Sequence, residues 1–230
     1  IPTAITWSDS DSSLYFAAAQ SSSSSKDDDR FYEKKWKDVI EYRRRKPSDS
    51  STIHRIDISR KHRRVSFKIT PIKSLDFLVG ELLYVPLEYK IVCSSASYIV
   101  EGLRDIDIYS IDLHHDASLT KLTDNQGFEQ NLQLSSDGRR VFYQTFSIKD
   151  DSGTLGAAQR QLNSIDLTSG KVEYWTSDFQ GTVRDYAVRS EGGVFILGQL
   201  GTNVHIFLQQ SPSKYLIQQW GWNGTYRSIT

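Results

Sequence analysis

Apolar and polar residues alternate in short runs broken by turn-forming clusters, the pattern of β-strands rather than helices. From Phe128 the chain reads Phe-Glu-Gln-Asn-Leu-Gln-Leu, with Leu132 and Leu134 alternating with polar neighbours. Ser136-Asp137-Gly138 then makes a tight turn, and Val141 to Phe146 forms a second, more apolar strand. Beyond a polar gap, Leu162 to Leu167 reads as a third strand, closed by Thr168-Ser169-Gly170, and Lys171 to Thr176 as a fourth.

This unit recurs. Trp7-Ser8 followed by a polar stretch and Leu14-Tyr15-Phe16 matches Leu134-Ser135, the Asp137-Gly138 turn and Val141-Phe142-Tyr143. Weaker copies start at Tyr84, with Pro86 in the turn, and at Val188, with Glu191-Gly192. The third strand recurs as Ile53–Ile58, Ile108–Leu113, Leu162–Leu167 and Val204–Leu208, the first three carrying Asp57, Asp112 and Asp166. Fourth strands are expected at Val65–Ile69, Leu119–Thr123, Lys171–Thr176 and Tyr215–Trp220.

A period of about 40–55 residues with four short strands per unit predicts a β-propeller. One four-stranded antiparallel blade cannot bury both faces, so successive blades must stack on one another. The fold class expected is all-β, with about four such blades over residues 1–230 and Arg227–Thr230 opening the next. Four blades are few for a closed ring, and an open arc exposes apolar faces, so the expectation is part of a larger ring.

One segment interrupts the pattern. Residues 20–49 hold a serine run and Lys26 to Arg30, of low complexity, followed by a charged stretch. There Tyr32, Trp36 and Val39/Ile40 recur at helical spacing, with a strand from Trp36 to Arg43 as the rival reading. This insertion falls between a second and a third strand, as do residues 95–105, 149–160 and 201–203. Connections of that kind share one edge of an up-and-down blade, and loop-rich edges are where partners are met.

Composition narrows the chemistry. The 230 residues carry no formal net charge and are 38% hydrophobic, so no global field invites nucleic acid. The two basic clusters, Arg43–Lys46 and Arg60–Arg64, lack interleaved aromatic platforms and read as solvated turns. No apolar run approaches the roughly 20 residues that span a bilayer, so no membrane partner is expected. A single cysteine, Cys93, excludes an internal disulfide framework and reads as a small buried hydrophobe. The chain contains no methionine, which points to a processed product or part of something longer.

None of the five histidines falls in a zinc-type spacing, and no metal or other cofactor is expected. His54 and His205, at equivalent third-strand positions, read as packing or exposed blade residues. The recurrent Asp57, Asp112 and Asp166 stand in successive units and so cannot converge on one substrate. They read as structural groups bonding the backbone of the following turn.

Trp7-Ser8 with Leu14-Tyr15-Phe16, and Leu134-Ser135 with Asp137-Gly138, resemble the W-S-P-D-G-K repeat of TolB-type and prolyl-oligopeptidase-type propellers. Trp36 to Arg43 followed by Ile53-His-Arg-Ile56-Asp57 is similar to the N-terminal propeller of the dipeptidyl-peptidase and acylaminoacyl-peptidase branch of that serine peptidase family. So are Leu122 to Asn125 and Glu129 to Leu132. The chain departs from the repeat where Tyr84, Leu134 and Val188 replace the tryptophan, and only Pro86 keeps a turn proline.

The resemblance implies a propeller that limits and orients peptide access to a Ser-His-Asp triad on an α/β-hydrolase domain. No G-x-S-x-G elbow occurs in these residues, so no catalytic residue is expected here. In an exopeptidase, polar groups on the loop-rich edge could hold a peptide's free amine; Glu101 and Arg43 are the candidates. Asn223-Gly224-Thr225 is an N-glycosylation sequon, and a secreted or extracellular setting is favoured over a cytoplasmic one. The expected partners are a peptide substrate and a hydrolase domain or further blades of the same parent. The alternatives are a free-standing interaction module using the 20–49 insertion, or a TolB-like scaffold.

Overall fold

A computed structural model describes residues 2–8, 12–20, 50–61, 64–96, 106–114, 116–125, 127–146, 159–221 and 226–230. The strands are β1 (Pro2–Trp7), β2 (Ser13–Ala19), β3 (Ser51–Lys61), β4 (Arg64–Leu75), β5 (Leu78–Val85), β6 (Lys90–Ala96), β7 (Ile108–Asp112) and β8 (Leu119–Lys121). They continue with β9 (Phe128–Leu134), β10 (Arg140–Phe146), β11 (Gln161–Asp166), β12 (Val172–Tyr174), β13 (Thr182–Val188), β14 (Val194–Leu200), β15 (Asn203–Gln209) and β16 (Ile217–Gln218). They form four sheets of four strands, each in sequence order, and the ladders are antiparallel. The described residues include no helix. The all-β architecture of four-stranded blades expected from the repeat is what the structure shows.

Each sheet is a meander, which short connections and period-2 patterning favour. All four predicted third strands coincide with β3, β7, β11 and β15, and the fourth strands with β4, β8, β12 and β16. The first sheet departs most. β3 and β4 form a long hairpin that pairs from Ser51↔Leu75 to Lys61↔Arg64, well beyond the expected Val65–Ile69 strand. Pro71, which has no N–H to give, is tolerated because β4 is an edge strand and its register shifts beside it.

The chain divides into two compact units. The first holds β1 to β4 and runs on to Gly80; the second continues from Glu81 and holds most of β5 and β6 and all of β7 to β16. In the first unit Tyr15, Ala17, Ile53, Leu75, Leu78 and Val79 are buried.

In the second unit the sheets stack face to face through two apolar layers. Val85, Val92 and Ile108 of the β5–β8 sheet pack with Val141, Tyr143, Ile165 and Leu167 of the β9–β12 sheet. On the other side of that sheet, Phe142, Leu162 and Trp175 meet Val183, Tyr186, Val194, Ile196 and Phe207 of the β13–β16 sheet. Successive residues of β10 therefore feed opposite layers: Val141 and Tyr143 one, Phe142 the other. This is why that strand reads as a continuous apolar run. Trp175 also donates its indole N–H to Ser164 Oγ at 2.9 Å, satisfying a buried donor.

Candidate functional site

Three places in the second unit concentrate polar chemistry. The first is the edge where insertions leave each sheet between its second and third strands. There Glu129 at the start of β9 is 1% exposed, and its carboxylate accepts hydrogen bonds from the Thr123 hydroxyl and the Asn125 amide. Thr123 in turn accepts the N–H of Ile108 at 2.8 Å, which fixes the first residue of β7. Thr176 does the same for Leu162 at 2.9 Å in the next sheet. The threonine that follows the fourth strand thus caps the third strand in both blades.

The same edge carries further charged and aromatic groups. Lys121 Nζ bridges Asp124 at 2.6 Å and Asp107 at 3.0 Å. Donating hydrogen bonds to Asp124 and Asp107 raises the lysine's pKa above its ordinary value, and Lys121 holds the Asp124 carboxyl below its own. Phe128 and Phe146 stack at 5.1 Å, with the Arg160 guanidinium 5.5 Å from the Phe146 ring. Burial, with the nearby Glu129 charge, keeps Tyr143 protonated far above the usual phenol range. The edge thus carries an ammonium flanked by carboxylates and, separately, an aromatic pair with a guanidinium over it.

The second place is the inner strand of each blade, where a polar residue reaches into the next sheet. Glu81 of β5 accepts the N–H of Asn131 and the N–H of Leu132, each at 2.7 Å. Asn131 sits in the left-handed region at φ 58°, at a bulge where β9 shifts register against β10. That conformation, which asparagine tolerates better than most residues, leaves both amides free of the ladder for the carboxylate. Asn131 Nδ2 then donates to Asp185 Oδ1 of β13 at 3.1 Å, and the Tyr186 hydroxyl donates to the Asn131 carbonyl. Gln133 adds a two-way clamp, donating to Tyr186 O at 2.9 Å and accepting from Val188 N at 3.2 Å.

The third place is the opposite edge, at the Ser-x-Asp-Gly turn. A cleft of about 500 Å³ opens there between the last two sheets, lined among others by Asp137, Arg140, Glu173, Trp175, Arg189 and Glu191. Its charges are already paired, Arg140 with Glu173 and Arg189 with Glu191. Asp137 accepts from the Ser135 hydroxyl at 2.6 Å and the Arg139 N–H at 3.1 Å, which lowers its pKa. Gly138 takes φ 71° to complete the turn.

The recurrent aspartates divide. Asp112 accepts the N–H of His114, and Asp166 those of Ser169 backbone and hydroxyl, as expected of turn-forming groups. Asp57 differs, because β3 runs on past it into the long hairpin and leaves no turn to bond. Burial works against its ionisation, but hydrogen bonds from Ser13 and Arg55 outweigh that and hold its pKa low. His54 stacks on Phe16 at 5.0 Å and His205 Nδ1 pairs with the Gln218 amide, so both are packed within their blades. Among the described residues no group of three or more His, Cys, Asp or Glu could hold a metal ion.

Glu101, Arg43 and Asn223 lie outside the described residues. Sequence reasoning missed the roles of Glu129, Glu81 and Asp185. For Glu81 and Asp185 the available signal was an acidic residue between same-face apolar positions, Val79 and Leu83, Val183 and Ala187, which requires a partner from elsewhere; Glu129 carries no such signal.

These blades define the class of the protein: an all-β chain of propeller blades. No protein-family model matches the chain. No curated protein matches it either. Solved structures do. A puromycin-hydrolyzing peptidase of Mycobacterium tuberculosis matches over 95% of this chain and 28% of its own, at 11% identity and TM-score 0.56. An oligogalacturonate lyase in complex with manganese matches over 87% and 48%, at 14% identity and TM-score 0.57. An acylaminoacyl peptidase of Pyrococcus horikoshii matches over 75% and 31%, at 11% identity, but at a TM-score of only 0.46. At these identities the likeness is one of fold. The chain spans less than half the length of each of these proteins.

Proposed function

We propose that this chain is the non-catalytic propeller portion of a serine peptidase of the prolyl-oligopeptidase type, which size-selects and orients peptides for a Ser-His-Asp domain. The observation that carries this reading is the insertion-bearing edge of the second unit. There Lys121, Asp107 and Asp124 stand on the same edge as the Phe128–Phe146 stack and Arg160. Such an edge offers a peptide the Arg160 guanidinium and an aromatic surface, and Lys121 with Asp107 and Asp124 can exchange their mutual pairing for peptide termini. The fold likeness to a peptidase over nearly the whole chain supports it.

The parent reading frame tests the proposal. A G-x-S-x-G elbow beyond these residues, followed by Asp and then His, is expected; its absence sinks the peptidase reading. The 230-residue chain is expected to bind short peptides saturably and to leave dipeptidyl and acylaminoacyl chromogenic substrates uncleaved. Turnover by the chain itself would overturn the non-catalytic assignment.

A second reading is a free-standing interaction module. It is favoured by the exposure of Ile5, Trp7, Phe67 and Ile69 on the first sheet, where cross-strand pairing places Trp7, Leu14, Ile56 and Ile69 in one row.

A further inference from the structure

From β5 onward there are three complete sheets but four clamp positions. Leu78 and Glu81, Phe128 and Asn131, Thr182 and Asp185 stand at the same interval, each pair giving the first residue of an inner strand and its clamp position. Tyr226 and Ile229 keep that interval in the segment after β16. Ile229 N–H donates to Asp185 Oδ2 at 3.0 Å, as Asn131 N–H donates to Glu81 Oε1 at 2.7 Å. The lead-in matches as well. Residues 122–127 carry the chain from β8 to β9, residues 175–181 from β12 to β13, and residues 219–225 from β16 to Tyr226. Among the described residues, 226–230 form no ladder.

The last sheet is apolar on both faces. Tyr186, Ile196 and Phe207 form a cross-strand row that packs toward the β9–β12 sheet. On the opposite face Ala187, Phe195, Leu208 and Ile217 form another row, with Leu197 and Ile206 beside it. Ile217 is 56% exposed, whereas Leu197 is buried. A blade whose outer face met only water would carry polar residues at these alternate positions.

We propose that residues 226–230 are the inner strand of a further blade, and that the Ala187–Phe195–Leu208–Ile217 face is the surface on which that blade packs. The occupant is a four-stranded blade of this same repeat, entered through Ile229 and locked by Asp185. The inference stands apart from the peptidase reading, since it rests on the clamp geometry and the apolar face of the last sheet.

The sequence supplies its own test. Thr230 is the counterpart of Tyr186, so a copy of residues 187–221 appended after Thr230 completes such a blade. The extended chain is expected to melt at a higher temperature and to bind less of an apolar-surface dye than a chain extended by the scrambled copy. Equal dye binding by the two, with the true copy folded, overturns the proposal. If the copy stays unfolded, hydrogen exchange in the unextended chain decides. Protection at the Ile229 amide at least about tenfold above that of Ser228, lost in Asp185→Ala, supports the proposal. Coil-like exchange at Ile229 in the native chain overturns it.

Discussion

Glu81 and Asn131 are joined across two blades: the carboxylate of one accepts the main-chain N–H of the other at 2.7 Å, and Leu132 supplies a second N–H at the same distance. Neither contact belongs to a ladder, and both depend on the left-handed backbone of Asn131. Charge-assisted bonds of this kind are worth about 1.5–3 kcal/mol each before partial exposure is discounted. Glu81→Gln, which keeps the shape but not the charge, is expected to cost about 1–2 kcal/mol, and Glu81→Ala more. Urea denaturation midpoints check this; a neutral Glu81→Ala would show that the stacked apolar layers alone hold the blades in register.

The turn aspartates make stability depend on pH. Hydrogen bonds from Ser135 to Asp137, and from the Ser169 N–H and hydroxyl to Asp166, hold both folded pKa values below their ordinary value. A carboxyl with a folded pKa below its unfolded value of about 3.9 stabilises the fold above that pH, and the contribution is lost as pH falls through the folded value. Stability is thus expected to drop on acidification below about pH 4, and the drop to be shallower in an Asp137→Asn/Asp166→Asn variant. Parallel pH profiles for the two proteins would exclude these groups as the cause.

Two adjacent glycines separate backbone strain from steric conflict. Both take left-handed φ, 89° at Gly192 and 80° at Gly193. A Cβ at Gly192 meets nothing within 4 Å, whereas at Gly193 it would lie 2.6 Å from the Gln209 carbonyl oxygen. Gly192→Ala is expected to cost about 1–2 kcal/mol, the left-handed penalty alone. Gly193→Ala is expected to cost clearly more, because the turn must also move away from β15. Similar thermal shifts for the two would contradict this placement of the Val188–Val194 turn.

Cys93 is fully buried in β6, and burial pushes its thiol up to about 12. The native protein is therefore expected to resist an aromatic disulfide reagent at pH 8 and to react stoichiometrically once unfolded. Rapid labelling of the native chain would show that the β5–β8 sheet opens readily.

The local rules of the chain are legible without coordinates. Leu132/Leu134 alternation, the Ser136-Asp137-Gly138 turn and the Ile-Asp strand ends are satisfied within a few residues or across one hairpin. Their recurrence therefore gave the strand count, the blade boundaries and the edge that carries the insertions. Where the structure differs, a longer-range pairing overrides the local pattern. Asp57 was expected at a strand end like Asp112 and Asp166, yet the β3–β4 hairpin carries the strand past it to Lys61. That extension depends on a ladder tolerating Pro71 at its edge, which a turn-based reading does not anticipate.

The sequence alone determined an all-β chain of repeated four-stranded units, because period-2 patterning and turn chemistry are properties of neighbouring residues. Only the tertiary structure decided how the blades of the second unit hold one another. Glu81, Asn131, Asp185 and Ile229 are separated by about one repeat each, and each takes a hydrogen-bond partner from another repeat. A carboxylate on an inner strand reads as an anomaly until the next blade brings its amides within hydrogen-bonding distance.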